Sequence, residues 1–429
     1  MTASAAPPAG PAGLWPSRWP AEDGGPTRRQ VPHGGPSLDL RPHETLAATS
    51  RDALVATMVV LRDPGEVFLL CHTGGDDAVS WVERINPDTL EVLDRSPDLP
   101  GGPTWPGGLA CHADGSLHVV FGRHAHRLGT DLAVQATRQL PRNRPYNSFV
   151  TLPDGHLVTK DFGGPLPPAV TRAEPAAATE LVVLEPEGLE VVSTVALPEP
   201  SVARLSADGD TVYVVGDTTL WRAGWDGTAL TLDEAFRPRY RTLEGQTHGW
   251  DAVLVDGAAW FLDDGAGTEH YAGTLRGIGP STAPLHLVRV DVATGSVALH
   301  EVAGLPGGVV ANPPAIDPNR RIAVAYDTGN GVVTAFDYDD RGDAQVRWRR
   351  ALDHGGHPLL YPSGEVVLGD HDRTRGAEQA VVIDIESGEE RGRVDTGGPV
   401  QSVVFAGPGF GRDAYLCTFT TVTRIHVAS

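Results

Sequence analysis

Leu152-Pro153-Asp154-Gly155-His156-Leu157-Val158 places a tight turn between two apolar runs. The turn comes back as His112-Ala113-Asp114-Gly115, Ala207-Asp208-Gly209 and Val255-Asp256-Gly257. Variants stand at Asp63-Pro64-Gly65, Asp317-Pro318-Asn319, Pro362-Ser363-Gly364 and Gly407-Pro408-Gly409. Asp-Gly between alternating hydrophobics is a strong hairpin signal, because Gly accepts positive φ and Asp tolerates it. Hairpins returning every ~40 to 60 residues make a repeat architecture.

Each hairpin is followed by a second. After Asp63-Pro64-Gly65 come Trp81 to Ile85, a turn at Asn86-Pro87-Asp88-Thr89, and Leu90 to Leu93. The same order holds for Thr130-Asp131, Pro186-Glu187-Gly188, Asp226-Gly227, Ala293-Thr294-Gly295, Asp340-Arg341-Gly342 and Glu386-Ser387-Gly388. Each unit is therefore a four-stranded up-and-down meander. The last unit, after Pro408-Gly409, has only Ala414 to Phe419 and Val422 to Val427 beyond its turn. An isolated strand near Leu38-Asp39-Leu40 would complete it. Closing a ring with strands from both ends of the chain removes the open edges of the array. The expected fold is all-β: a closed β-propeller of eight four-stranded blades, or seven if one irregular unit is miscounted. It occupies residues 37–429, after a flexible Ala/Pro/Gly-rich segment at 1–36 whose Trp15 and Trp19 would pin it to the body.

Composition narrows the partners. Lys+Arg number 34 against 55 Asp+Glu, a formal charge of -21. That disfavours nucleic acid and anionic membrane surfaces, which need a basic footprint. No run approaches the ~20 apolar residues of a membrane span. Three widely spaced cysteines, Cys71, Cys111 and Cys417, make neither a disulfide framework nor a zinc ribbon. Cys71 and Cys417 sit in apolar runs and read as buried small hydrophobes, which suits a reducing compartment. Met1 to Pro8 lacks the basic and apolar regions of a signal peptide, so the expected location is cytoplasmic.

The outer hairpins Val290-Asp291-Val292-Ala293-Thr294-Gly295 and Val382-Ile383-Asp384-Ile385-Glu386-Ser387-Gly388 resemble the outer-strand repeat of quinoprotein-like (PQQ-like) propellers. The innermost hairpins resemble those of the gluconolactonase and senescence-marker-protein type. Both resemblances imply a propeller without selecting an activity. The PQQ-using dehydrogenases typically show an adjacent Cys pair and a secretory signal; this sequence shows neither, so PQQ is not the expected cofactor. Gluconolactonase-type propellers bind a divalent cation near the axis, which polarises a lactone or ester carbonyl while a carboxylate activates water.

In a meander, alternate connections fall on opposite faces. The Asp-Gly turns share one face, and the mouth of the channel on the other collects the polar residues. Starts of innermost strands place Asn147, His248, Asn312, His357 and Gln401 there. Ends of second strands add His72, Arg123-His124, Lys160-Asp161, Asp327 and Asp370-His371. Carboxylates with Asn amides suit a hard cation, calcium or magnesium, with Asn147, Asp161, Asn312, Asp327 and Asp370 as ligands. A competing set of imidazoles, His72, His124, His248, His357 and His371, suits iron, copper or zinc and an oxidoreductase. Two long loops rise on the same face, 162–179 and 265–284, the second carrying Tyr271 and Arg276 beside His248-Gly249-Trp250-Asp251.

The expected function is thus an enzyme acting on a small polar molecule at the central funnel, by divalent-metal-assisted hydrolysis of the lactonase or esterase kind or by lyase chemistry. His248, His371 and Asp251 would be catalytic. Arg123, Lys160, Trp250, Tyr271, Arg276, His357 and Gln401 would hold substrate. The alternative is a non-catalytic propeller scaffold that binds a partner protein. Gly-x-Ser-x-Gly, Walker and dinucleotide motifs are not seen.

Overall fold

The computed structural model describes residues 10–53, 55–165, 175–403 and 405–428. Strands form eight antiparallel sheets, each with a four-strand path in which neighbours are consecutive in the chain for seven of them. The sheets span 56–95, 108–139, 146–196, 206–232, 253–301, 315–351, 359–395 and 405–428, and are called blades 1 to 8 in that order. Blade 8 takes its fourth strand from the other end of the chain: Thr45–Asp52 pairs antiparallel with Thr421–Ala428, with Ala48 opposite Ile425. The eight-bladed, strand-exchanged propeller is as the repeat predicts. The closing strand is not where the alternation near Leu38 put it. Leu38 and Leu40 are buried, but Asp39 has φ 47°, which ends extended backbone there. The amides of Asp39 and Leu40 donate to the Glu365 carboxylate instead.

The turns explain the repeat. At Leu152-Pro153-Asp154-Gly155 the Gly155 amide donates to Leu152 O and the Leu152 amide to His156 O. Gly155 has φ 93°. This is a three-residue loop closed by a left-handed glycine, rather than a two-residue Asp-Gly turn. Asp256-Gly257, with φ 50° and 70°, is the two-residue form. In the outer hairpins an Asx side chain holds the turn. Asp291 Oδ1 accepts from the amides of Ala293 and Thr294, Asp384 Oδ1 from those of Glu386 and Ser387, and Asn86 Oδ1 from those of Asp88 and Thr89. The Asp-x-x-Thr/Ser-Gly pattern is thus a requirement for turn closure, satisfied locally.

Buried aromatics lock neighbouring blades. Tyr326 Oη of blade 6 donates to Gly356 O ahead of blade 7, Tyr361 Oη of blade 7 to Asp413 O of blade 8, and Tyr415 Oη of blade 8 to Pro87 O of blade 1. Cys71, Cys111 and Cys417 are free and buried, as expected of small core hydrophobes.

The segment ahead of the closing strand departs from the sequence-based expectation. Residues 10–36 are no flexible appendage: they thread into the channel from the Asp-Gly face. Innermost strands have one unpaired edge facing the axis, and this segment pairs with it. The amides of Leu61, Cys111, Ala207, Leu254 and Leu360 donate to the carbonyls of Trp19, Pro20, Pro26, Thr27 and Gln30. These acceptors thus meet blades 1, 2, 4, 5 and 7 in turn. Gln30 Nε2 adds Pro314 O beside blade 6, and the Arg18 guanidinium adds Gly409 O of blade 8. Trp19 is fully buried.

Candidate functional site

At the face opposite the Asp-Gly turns the channel opens into a funnel of about 370 Å3. Trp105, Trp250, Tyr271, Phe405 and Phe419 wall it, with Leu275, Val55 and Val403. The Trp105 ring stacks on Phe162 at 4.4 Å and on Trp250 at 6.3 Å between centroids. Over the mouth runs the loop 265–284 of blade 5, fastened to three other blades. Tyr271 Oη donates to Gln401 O, the Leu275 amide to Gln401 Oε1, Arg276 pairs with Asp353 at 3.1 Å, and the Gly277 amide donates to Gly329 O. The companion loop 162–179 is described only at 162–165 and 175–179; the rest lies outside the described residues.

One cation, Arg204, lies at the base of the funnel, 4% exposed. It leaves the start of blade 4 and crosses to blade 2, where its guanidinium donates to Gly107 O and Pro106 O at 3.2 Å. Its Cζ stands 5.0 Å from the Phe405 ring centroid. Glu22 of the threaded segment pairs with it at 2.7 Å, and its own amide donates to Asp251 Oδ1 at 2.6 Å.

Next to Arg204 a charged cluster occupies the axis. Arg28 pairs with Asp23 at 2.8 Å and Glu22 at 3.1 Å. The imidazole Nδ1 of His357 meets Asp23 Oδ1 at 2.8 Å. Burial alone would raise the Asp23 carboxyl, but His357 and Arg28 hold it below the ordinary carboxylate range. Asp251, equally buried and with Arg28 and Arg204 less closely engaged, is raised.

The structure therefore brings together six of the residues singled out in the sequence: His72, Trp250, Tyr271 and Asn312 in the funnel wall, Asp251 and His357 in the cluster. It disperses the other candidates, and the side chain of Asn312 itself serves a local contact. Asn147 Nδ2 donates to Val202 O. Asp161 accepts from the Glu180 amide and pairs with Arg142. Asn312 Nδ2 donates to Gly355 O. Asp327 accepts from the amide and Nδ2 of Asn330. Asp370 accepts from the Asp353 amide and pairs with Arg393. These five proposed cation ligands each finish a strand end or loop. Among the described residues they form no group of three carboxylate or imidazole atoms. A calcium or magnesium ion does not fit them.

The imidazoles are likewise spread. His72 Nδ1 meets Thr73 O, His124 Nδ1 meets Gly101 O, His371 pairs with Glu378 at 3.2 Å, and His248 sits half-buried beside Gly265. Arg123 lies in a separate cleft with Asp76, Asp77 and Asp98. Gln401 and Arg276 fasten the loop and do not form a substrate wall. A wider groove of about 780 Å3 beside Arg239 to Thr247 lies off the axis, on blade 4's outer connection.

Lys160, expected to hold a substrate anion, is fully buried and donates to Ser201 O at 3.0 Å and Asn147 Oδ1 at 3.4 Å. Burial pushes its ammonium down from 10.5 to about 7. A folded state that prefers neutral lysine loses stability wherever the unfolded chain keeps the proton, so stability rises between pH 7 and 10.5. Lys160→Met is expected to stabilise the protein by about 2 kcal/mol at pH 7, roughly 4 kcal/mol from the shift less about 1 kcal/mol for each of the hydrogen bonds lost to Ser201 and Asn147, with the gain gone by pH 10.5. Urea unfolding across that range measures it.

Glu22, Asp23, Arg28 and Arg204 escaped the sequence reading. The acidic pair sits in a Pro/Gly-rich stretch with no periodicity, and Arg204 differs from the amides and imidazoles sought at strand starts. The available signal was an acidic pair and an arginine five residues on, in a segment already marked by two tryptophans.

No family model matches the chain, and no curated protein matches it significantly. Solved structures do. BamB from Moraxella catarrhalis superposes with TM-score 0.57 over 89% of this chain and 99% of its own, at 12% identity. The quinohemoprotein alcohol dehydrogenase from Comamonas testosteroni gives 0.61 over 95% and 80%, at 10% identity. A europium-containing methanol dehydrogenase gives 0.54 over 93% and 88%, at 9% identity. At such identities the likeness is one of fold. In architecture the chain resembles these quinoprotein dehydrogenases and BamB as a β-propeller, the fold that its outer-hairpin repeat implies.

Proposed function

We propose that the axial funnel binds a small organic anion with an apolar, aromatic-sized body. The observation that carries this is the buried Arg204 guanidinium at the base of an aromatic-walled cavity. Cavities of ~300 to 1,000 Å3 with apolar walls and few polar groups are the usual form of small-molecule sites. The guanidinium is already paired with Glu22 and donates to two carbonyls, so a ligand carboxylate would take a remaining donor and share its charge in low dielectric. The walls favour an apolar body over the small polar molecule expected from the sequence. Metal-assisted hydrolysis would need a cation on residues that each serve their own strand end, so the proposed function is binding. For the scaffold alternative, the exposed large apolar residues are scattered: Val92, Leu93, Val134, Val191, Val192 and Val346 over the outer strands of blades 1, 2, 3 and 6, and Leu243 and Leu305 in the connections on either side of blade 5.

The test uses 1-naphthoate and its neutral analogue 1-naphthalenemethanol. Trp105 and Trp250 report binding by fluorescence quenching, and calorimetry gives the affinity. Naphthoate is expected to bind at least about tenfold more tightly, the value of one charge-assisted hydrogen bond, and Arg204→Gln should remove the difference. Equal affinities for the two probes, or no saturable quenching by either, would sink the proposal.

A further inference from the structure

We propose that Glu22, Asp251 and His357 form a buried transition-metal site, of the zinc class, that clasps the threaded N-terminal segment to blades 5 and 7. The site shares the Arg204–Glu22 pair with the funnel, but its test reads zinc uptake and the fold of the segment, which do not depend on a funnel ligand. One ligand atom from each of the three residues lies within 4.8 Å of the others, and all three residues are buried. A second observation points the same way. His357 Nε2 is buried with no hydrogen-bond partner among the described residues; Asp251 Oδ2 and Glu22 Oε1 are likewise without hydrogen bonds and are met only by Arg204, at 3.9 and 2.7 Å. Buried polar atoms are otherwise nearly always partnered.

The surroundings suit a metal. Asp23 Oδ1 accepts a hydrogen bond from His357 Nδ1–H, which leaves the Nε2 lone pair free, the arrangement by which a carboxylate orients a metal-binding imidazole. Three buried carboxylates, Glu22, Asp23 and Asp251, face the two guanidinium groups of Arg28 and Arg204. A mixed set of two carboxylates and one imidazole fits zinc better than calcium, which takes six to eight oxygens. Bonds of about 2.0 to 2.2 Å would bring tetrahedral ligand atoms to about 3.4 Å of one another, so the cluster, its atoms now within 4.8 Å, would contract around the ion. Because Glu22 comes from the threaded segment and the other two ligands from innermost-strand starts, the ion would tie that segment into the ring.

The experiment uses the full chain, dialysed against chelator and titrated with zinc chloride. One equivalent is expected to bind by calorimetry and to be retained on gel filtration by elemental analysis. Tryptic cleavage after the exposed Arg29 should then slow by about tenfold or more, since only the threaded form binds zinc. Glu22→Gln and Asp251→Asn keep side-chain volume and should each abolish both effects. His357→Ala should do so too, with near-ultraviolet circular dichroism confirming its fold. If the wild type takes up no stoichiometric zinc, the proposal is overturned. Zinc uptake that persists in Glu22→Gln and Asp251→Asn, or leaves cleavage at Arg29 unchanged, places the metal on other histidines and overturns it equally.

Discussion

Arg28→Ala is expected to lower stability by about 3 to 5 kcal/mol, the cost of leaving buried charges without their partner. Arg28 is 2% exposed and holds Glu22, Asp23 and the Leu205 carbonyl at once. Its removal leaves the Glu22 and Asp23 carboxylates on the axis with Asp251 nearby, and the threaded segment loses one of its links to blade 4, keeping the Ala207–Pro26 bond. Equilibrium urea unfolding at pH 7 measures the loss. The double variant Glu22→Gln/Arg28→Met is the control. It removes charge from both sides and should recover part of the stability, because the cost lies in unpaired charge more than in lost attraction. A loss under 1 kcal/mol for Arg28→Ala would mean that the segment leaves the channel readily.

Ile425→Pro is expected to be as damaging, about 4 kcal/mol or more, through a different mechanism. Ile425 is fully buried in the third strand of blade 8, opposite Ala414 on one side and Ala48 of the closing strand on the other. Proline removes the amide, fits poorly in a strand with partners on both edges, and takes away the buried butyl group. The same substitution at Ala48, on the outermost strand, should cost much less. Thermal unfolding of the two variants tests whether closure of the ring holds the molecule together. Equal, small losses would show that blade 8 contributes little.

Much of this architecture was legible because its causes are local. A glycine at positive φ after Pro153-Asp154, or an Asp291 side chain capping its own turn, is dictated by residues a few positions apart. Repetition of those turns yields the meander, its number of blades and the face on which connections meet. The missing strand in the last unit demanded a donor from elsewhere in the chain, and only its position, Thr45–Asp52 and not Leu38–Leu40, needed the structure. The funnel residues Trp250, Tyr271 and Asn312 were found because they follow from strand order.

The rest depends on contacts between distant parts. Asp161, Asp327 and Asp370 have the right chemistry for a cation and stand at the right ends of their strands. A side chain at a strand end, however, satisfies the nearest unpaired amide first, and each of these carboxylates does so. Whether a polar group reaches the axis is decided by what it meets within hydrogen-bonding distance, which residue type and spacing do not reveal. The threaded segment is the larger case. Residues 10–36 have no strand periodicity, and their pairing partners are the free inner edges of blades that lie up to 330 residues away, as with Gln30 and Leu360. Sequence alone determined the ring and its two faces, because turn closure and strand alternation are short-range. Only the tertiary structure decided what fills the ring, because unpaired edges and buried charges on the axis exist only once all the blades have closed.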